Sequence, residues 1–365
     1  MKNLPAATLL TLAGLACGMP VAHAEDGQLY GLLRSRDLTP FGFLRLDMRP
    51  AHAVTIEPRT FAFETELGYQ NTWALSRNVE TYLKTLEASG QRRSVDAALV
   101  QELHDLPGEG YLLDLESATI DFAVHYKFSG QWSAYAIATA VSYHGGFLDS
   151  AIEKFHDLAG FTTFGRHAIE RNGTHLVYDL KSTQVTMLDP PQAQGFLDPT
   201  LGIRYSGIKL PRGWDMSMEL AAKFAIDGER TLLSTGREDY GFQASLRRIG
   251  RRNAFHLDLA AVYYAGQAVP LPQQKQIVPT IVLGWERKLT ARTNLNLQAY
   301  ASRSVYRHAQ TDLEELLKDK YQLSLGFRHR FENSIVSFAV TRNLQDFNNT
   351  PDVGFQVGYA WVPWR

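Results

Sequence analysis

The sequence predicts an all-β fold, a transmembrane antiparallel β-barrel of about 12 strands with short helices in its extracellular loops. Three observations carry that expectation. The stretch Val353–Trp361 alternates strictly, with Val353, Phe355, Val357, Tyr359 and Trp361 on one face and Gly354, Gln356, Gly358 and Ala360 on the other, which is the period of a strand. The same alternation recurs down most of the chain. The connections between these stretches alternate between tight turns and long loops, an asymmetry that belongs to outer-membrane barrels and has no reason to exist in a soluble sandwich.

The first 24 residues are expected to be a leader. Lys2 opens an apolar run from Ala6 to Ala16, and Ala22-His23-Ala24 supplies small residues where a signal peptidase reads, so cleavage is expected after Ala24. Cys17 is the only cysteine and falls inside this segment, which leaves the exported chain without a disulfide. Nothing after the leader is long and apolar enough for a membrane helix, which needs about 20 such residues. A formal net charge of -1, with no concentrated basic region, gives no electrostatic case for nucleic-acid binding.

Residues 25–56 are expected to form a periplasmic or lumen-plugging segment, with an ordered leader on the barrel or an extra strand as the alternative. Their apolar residues, among them Leu29, Leu32, Leu33, Phe43 and Leu46, are interrupted by Arg34, Arg36, Arg45 and Arg49. Pro40 and Pro50 break any long regular element.

Residues 57–365 are expected to be the barrel. The candidate strands begin at Phe61, Ile120, Trp132, Thr200, Trp214, Tyr240, Phe255, Ile277, Asn294, Tyr321, Ile335 and Val353. Ser129-Gly130-Gln131, Pro211-Arg212-Gly213 and Glu332-Asn333-Ser334 are among the tight turns, whereas Leu75 to Glu109 and His144 to Phe196 are long loops. Those loops carry helix signals. Val79, Tyr82, Leu83 and Leu86 have helical spacing, and Ser150 to Glu153 and Thr311 to Glu314 read as capping boxes.

Lipid takes one face of every barrel strand, so the opposite face should be polar. The inward set expected to line the lumen comprises Glu64, Glu66, Asp121, His125, Lys127, Arg204, Glu219, Lys223, Arg247, Asp258, Arg328 and Arg330. Its signs are mixed, and opposed charges can pair across the interior, which argues for a filled lumen rather than a wide pore. The loop after the third strand is a candidate gate through Gly145, Gly146, Asp149, Ile152, Phe155, His156 and Arg166. Gly145-Gly146 frees the backbone, and Leu148, Ile152 and Phe155 should give the helix one apolar face with which to dock over or within the barrel mouth. The histidines of this loop lack the spacing of a metal site or a catalytic motif, so neither catalysis nor a metal or cofactor is expected.

The run His144 to His156, with Gly145-Gly146, Asp149, Ile152, Phe155 and His156, followed by Gly165-Arg166, resembles the Gly-Gly-x-x-Asp-x-x-Ile-x-x-Phe-His segment of an uncharacterised family of Gram-negative outer-membrane proteins, domain of unknown function 3187. Gln70 to Trp73 and Leu197 to Gly202 fit the same family. The resemblance implies a barrel and an outer-membrane location, but no substrate. The favoured function is passive transport or binding of a small amphipathic or apolar compound, with outer-membrane lipid as surroundings and the barrel-assembly machinery engaging the closing strand. A lipid-modifying enzyme and a structural or surface-interaction barrel are the alternatives; the first would need a nucleophile and base at the outer rim.

Overall fold

The computed structural model describes residues 29–36, 42–49, 57–180, 194–226, 228–230, 232–265, 277–308, 311–344 and 353–362. The expected leader and the cleavage expected after Ala24 lie outside them. Twelve strands close into an antiparallel barrel. They are β1 (Thr60–Leu75), β2 (Gly110–Lys127), β3 (Trp132–His144), β4 (Thr200–Leu210), β5 (Trp214–Lys223), β6 (Asp239–Ile249), β7 (Asn253–Tyr264), β8 (Ile277–Lys288), β9 (Thr293–Ser302), β10 (Lys320–Arg330), β11 (Ser334–Asn343) and β12 (Val353–Trp361). Each pairs with its sequence neighbours, and β12 closes the barrel on β1, from Phe63 opposite Trp361 to Asn71 opposite Val353. Closure leaves no open edge in the hydrocarbon region, where an unpaired backbone group would cost several kcal/mol.

Alternation fixes the two faces. Phe61, Phe63, Leu67, Phe122, Leu220, Phe242, Leu325, Phe327, Val357 and Tyr359 stand exposed on the outside, while the opposite positions are buried. At the end that carries the tight turns, aromatic residues gather in contacting pairs, among them Phe61 with Tyr126, Trp132 with Tyr205 and Phe63 with Trp361. Such a girdle belongs at a membrane interface, where the rings have one apolar and one wet side. β3 departs from the pattern: Tyr135, Val141 and Tyr143 point inward, and alanines 134, 136, 138 and 140 face out.

The first two strands are longer than alternation suggested. Their register runs unbroken from Thr60 opposite Lys127 to Leu75 opposite Leu112, so the hairpin stands beyond the rest of the barrel on the extracellular side. Its far end no longer needs lipid, because protein covers it. Helices α1 (Arg77–Ala88) and α2 (Ala97–His104), with the short strand His175–Asp179, pack Val79, Leu83, Leu99, Leu103 and Val177 onto Trp73, Leu75 and Leu112. Val79 and Leu83 lie on the face that the helical spacing marked out. No comparable spacing announces α2, which is short; Asp96 caps it by accepting from the Leu99 N–H at 2.9 Å.

Helix α3 (Asp149–Ala159) and the single turn α4 (Glu314–Leu317) also form, but neither capping box does. Leu148 and Leu313 take the N-cap positions, and Thr311 instead donates to Glu109. The reason at α3 is competition: the Glu153 carboxylate that should reach back to the helix start is taken by Arg92 and Arg171.

Candidate functional site: the lumen and its outer rim

The lumen is occupied by the protein's own N-terminal segment. Residues 29–36 run from the turn end towards the middle of the barrel, and residues 42–49 lie along its upper half. The Glu286 carboxylate of β8 accepts the Tyr30 and Gly31 N–H groups at 2.6 and 3.0 Å. Gln298 of β9 accepts the Leu33 N–H and donates to the Leu33 carbonyl at 3.1 Å, so one side-chain amide satisfies both backbone groups of that residue. Asn296 donates to the Gly31 carbonyl and Arg328 to that of Tyr30. Farther along, Asp239 accepts the Leu46 N–H at 2.9 Å, Lys223 donates to the Leu44 carbonyl at 3.1 Å and Gln243 donates to the Arg49 carbonyl at 3.2 Å. A buried strand-like segment outside a sheet must find partners for its backbone, and here the wall's side chains supply them.

Three inward-facing glycines receive the segment's apolar side chains. A Cβ at Gly284 would lie 2.1 Å from Leu32 Cδ2 and one at Gly241 2.4 Å from Met48 Sδ, whereas one at Gly326 would first meet the Phe338 carbonyl oxygen of β11 at 2.2 Å, with Leu33 Cδ1 2.9 Å away. A side chain at any of these positions would collide with the segment.

The segment's arginines meet the wall's carboxylates. Arg49 reaches Glu66 at 3.1 Å and Asp121 at 2.8 Å, Arg36 also binds Asp121, and Arg34 is 3.7 Å from Glu64, whose second partner is His125 at 3.0 Å. Between segment and wall remains a crevice of about 30 Å³, lined in part by Arg34, Arg49, Glu64, Asp121 and Arg328, with room for a water molecule or two. Arg328 Nε and Arg34 Nη1 have no hydrogen-bond partner there.

Of the other expected lining residues, Arg204 binds Glu219 at 2.6 Å, and Tyr135 donates to the same carboxylate at 2.6 Å. Lys223 lies among Asp198, Asp239 and Thr235. Asp258 is buried on β7 opposite Ser245. Arg247 pairs with Asp215 at 3.6 Å near the turn end, where Lys127 and Arg330 are also only half-buried. Sequence reasoning noticed the arginines of the segment without pairing them, and overlooked Gln298, Asn296, Asp239 and the three glycines. The glycines had a signal: each interrupts a strand at an inward position where a polar side chain is the rule.

The expected gate residues come together, but outside the wall. Because the β1–β2 register is unbroken, Asn71, Trp73 and Glu116 continue the outward column of Phe63, Leu67 and Tyr69. Over this column the chain turns through Gly145-Gly146, where a Cβ on Gly146, at φ 75°, would lie 1.8 Å from the Glu116 carboxyl carbon. That close approach lets Glu116 accept the Phe147 and Leu148 N–H groups at 3.2 and 2.8 Å, at the start of α3. Arg166 binds Asp149 at 2.8 Å and Asn71 at 3.0 Å, and lies over the Trp73 ring at 4.9 Å. Asp149 also accepts the Asn172 N–H, and His156 Nδ1 donates to the Thr162 carbonyl at 2.7 Å.

This arrangement corrects the expected docking of α3. Asp149, Glu153 and His156 are its buried residues; Ile152 is half-buried, while Phe155 and Leu158 are exposed. The helix is held by its polar side because that side carries the partners of Arg166, Arg92 and Arg171, and it flanks the wall instead of covering the mouth. Among the described residues no group of histidine, cysteine and carboxylate side chains has the arrangement of a metal site.

Residues 107–362 match the family described as protein of unknown function (DUF3187). The chain belongs to this family. No curated protein sequence matches it. Among solved structures, the COG4313 outer membrane channel from Pseudomonas putida F1 is similar over 86% of this chain and 99% of its own, with 9% identity and a TM-score of 0.52. The NanC porin covers 68% of this chain and 94% of its own at 10% identity and a TM-score of 0.42. The P. putida toluene transporter TodX covers 85% and 91% at 11% identity and a TM-score of 0.38. The first of these likenesses shows the DUF3187 chain to have the fold of an outer-membrane β-barrel.

Proposed function

We propose that the protein is an outer-membrane conduit for a small amphipathic or apolar compound, closed at rest by its own N-terminal segment. In this reading the leader is cleaved after Ala24, the closing strand engages the barrel-assembly machinery, and residues 29–36 and 42–49 enter the finished barrel from the periplasmic side. The observation that carries it is the occupancy of the lumen by residues 29–36 and 42–49. A barrel of about eight strands can be filled by its own side chains, but a wider one has space to spare. Here that space is taken by a piece of chain bonded to wall side chains and not to any strand ladder, so the ladder that closes the wall does not depend on it. The similar solved structure from Pseudomonas putida F1 is an outer membrane channel, which supports passage as the activity.

The test is reconstitution of the mature chain and of a variant lacking residues 25–49 in liposomes, with swelling measured for solutes of graded size and polarity. The expected result is low permeation by the mature chain and a large increase in the variant. Equally low permeation in two folded proteins rejects the conduit and favours a structural barrel.

A further inference from the structure

We propose that helix α3 and its flanking turns are a membrane-contact element, with their apolar side immersed in the acyl chains of the outer leaflet beside β1–β3. The proposal rests on the membrane location of the barrel. The helix is inverted with respect to its own protein: Asp149, Glu153 and His156 are buried, while Leu158 is 89% exposed, Phe147 68%, and Phe155 and Phe161 51% each. In water such a face would forgo the roughly 1.5–3 kcal/mol that burial of each large apolar side chain contributes. Nothing in the described protein covers it.

Its position says what does. The Phe147 ring lies 5.4 Å from that of Tyr69, and Tyr69 is the next outward residue after Leu67 on the lipid-facing column of β1. The patch therefore begins where the lipid-facing band of the wall ends, and Phe155 and Phe161, 6.0 Å apart, add exposed apolar surface at the far end of the helix. An amphipathic helix beside a bilayer settles with its apolar face roughly 5–10 Å into the boundary between headgroups and acyl chains. The buried carboxylates of α3 are the reason that it can lie this way round: Arg166, Arg92 and Arg171 neutralise them on the protein side.

Cys17 is the only cysteine of the chain, so a Leu158→Cys variant that also carries Cys17→Ser has a single thiol. Labelled there with an environment-sensitive bimane and reconstituted in phosphatidylcholine vesicles, it should show blue-shifted emission that falls by about half when the acyl chains are brominated. A label at Leu325→Cys, on the wall's lipid face, is quenched whenever the barrel is inserted, and a label at Thr81→Cys on α1 reports water. Quenching at 325 without quenching at 158 overturns the proposal. Loss of quenching at both positions instead rejects insertion of the barrel itself. Emission at 158 that shifts with protein concentration and ignores bromination also overturns it, and assigns the patch to contact between copies of the chain.

Discussion

Arg49 of the N-terminal segment reaches Asp121 of the barrel wall, Nη2 to Oδ2, at 2.8 Å, and its other terminal nitrogen reaches Glu66 at 3.1 Å. One guanidinium thus neutralises two carboxylates that face the same space. Removing one member of a buried charged group leaves the rest uncompensated, at a cost of about 3 kcal/mol. Arg49→Ala should therefore lower the urea midpoint and raise single-channel conductance, because Glu66 no longer holds the segment through an arginine and Asp121 holds it through Arg36 alone. Arg49→Lys keeps the charge but cannot span both partners, and should fall between wild type and alanine in both measurements. Conductance unchanged in folded Arg49→Ala would separate this ion pair from closure.

Gly284 makes a steric prediction about the same segment. Its inward side is filled by Leu32, 2.1 Å from where a Cβ would stand, and the wall strand is fixed by ladders on both sides. Gly284→Val should thus displace the segment instead of the strand, at an overpacking cost of about 1–3 kcal/mol. A thiol at position 32, introduced as Leu32→Cys with Cys17→Ser, should react with a water-soluble maleimide much faster in the valine background. Equal rates would place the adjustment in the wall.

The barrel was legible because its physics is periodic. Lipid on one side and polar interior on the other impose a two-residue repeat, and all twelve strand positions follow from it. Where β1 and β2 leave the membrane, the outward column changes from Leu67 and Tyr69 to Asn71, Trp73 and Glu116, and the alternation of oil and water stops being informative. The site was less legible for the same reason. The partners of Glu64, Glu66 and Asp121 lie on a segment without periodicity, and no spacing in the sequence links Arg49 to Asp121. The run from Gly145 to Arg166 drew attention as a unit, but the docking face of its helix was misjudged: apolar residues on α3 suggested docking, whereas its buried charges decide which side faces the protein.

Glu153 gives that polar docking a pH dependence. Burial pushes its carboxyl upward, but the hydrogen bonds and charges of Arg171 and Arg92 outweigh burial and hold it below its ordinary value of 4.5. A carboxyl lowered by folding contributes stability that is present above the unfolded value and is lost as pH falls through the folded one. Proteolysis of the loop around α3 should accordingly be slow at neutral pH and accelerate below about pH 4.5. Glu153→Gln should be cut faster at neutral pH, with a flatter pH profile. A parallel profile in the two proteins would assign the acid response to another group.

The two faces of β10 give the sharpest test of the barrel itself. Phe327 is 43% exposed on the outside, in the column of Leu323 and Leu325 and beside Phe338 of β11, whereas its neighbour Arg328 is buried and donates to the Tyr30 carbonyl. An arginine on the lipid face near the middle of the membrane costs roughly 2–4 kcal/mol. Phe327→Arg should therefore reduce the heat-modifiable, folded fraction recovered from membranes. Arg328→Phe puts an apolar ring into the lumen and leaves the lipid face intact, so it should insert normally while loosening the start of the N-terminal segment. Folded yield, read by gel mobility, and protease access to residues 29–36 then change in different variants. Equal and mild losses of folded yield in both would mean that the faces of β10 are reversed.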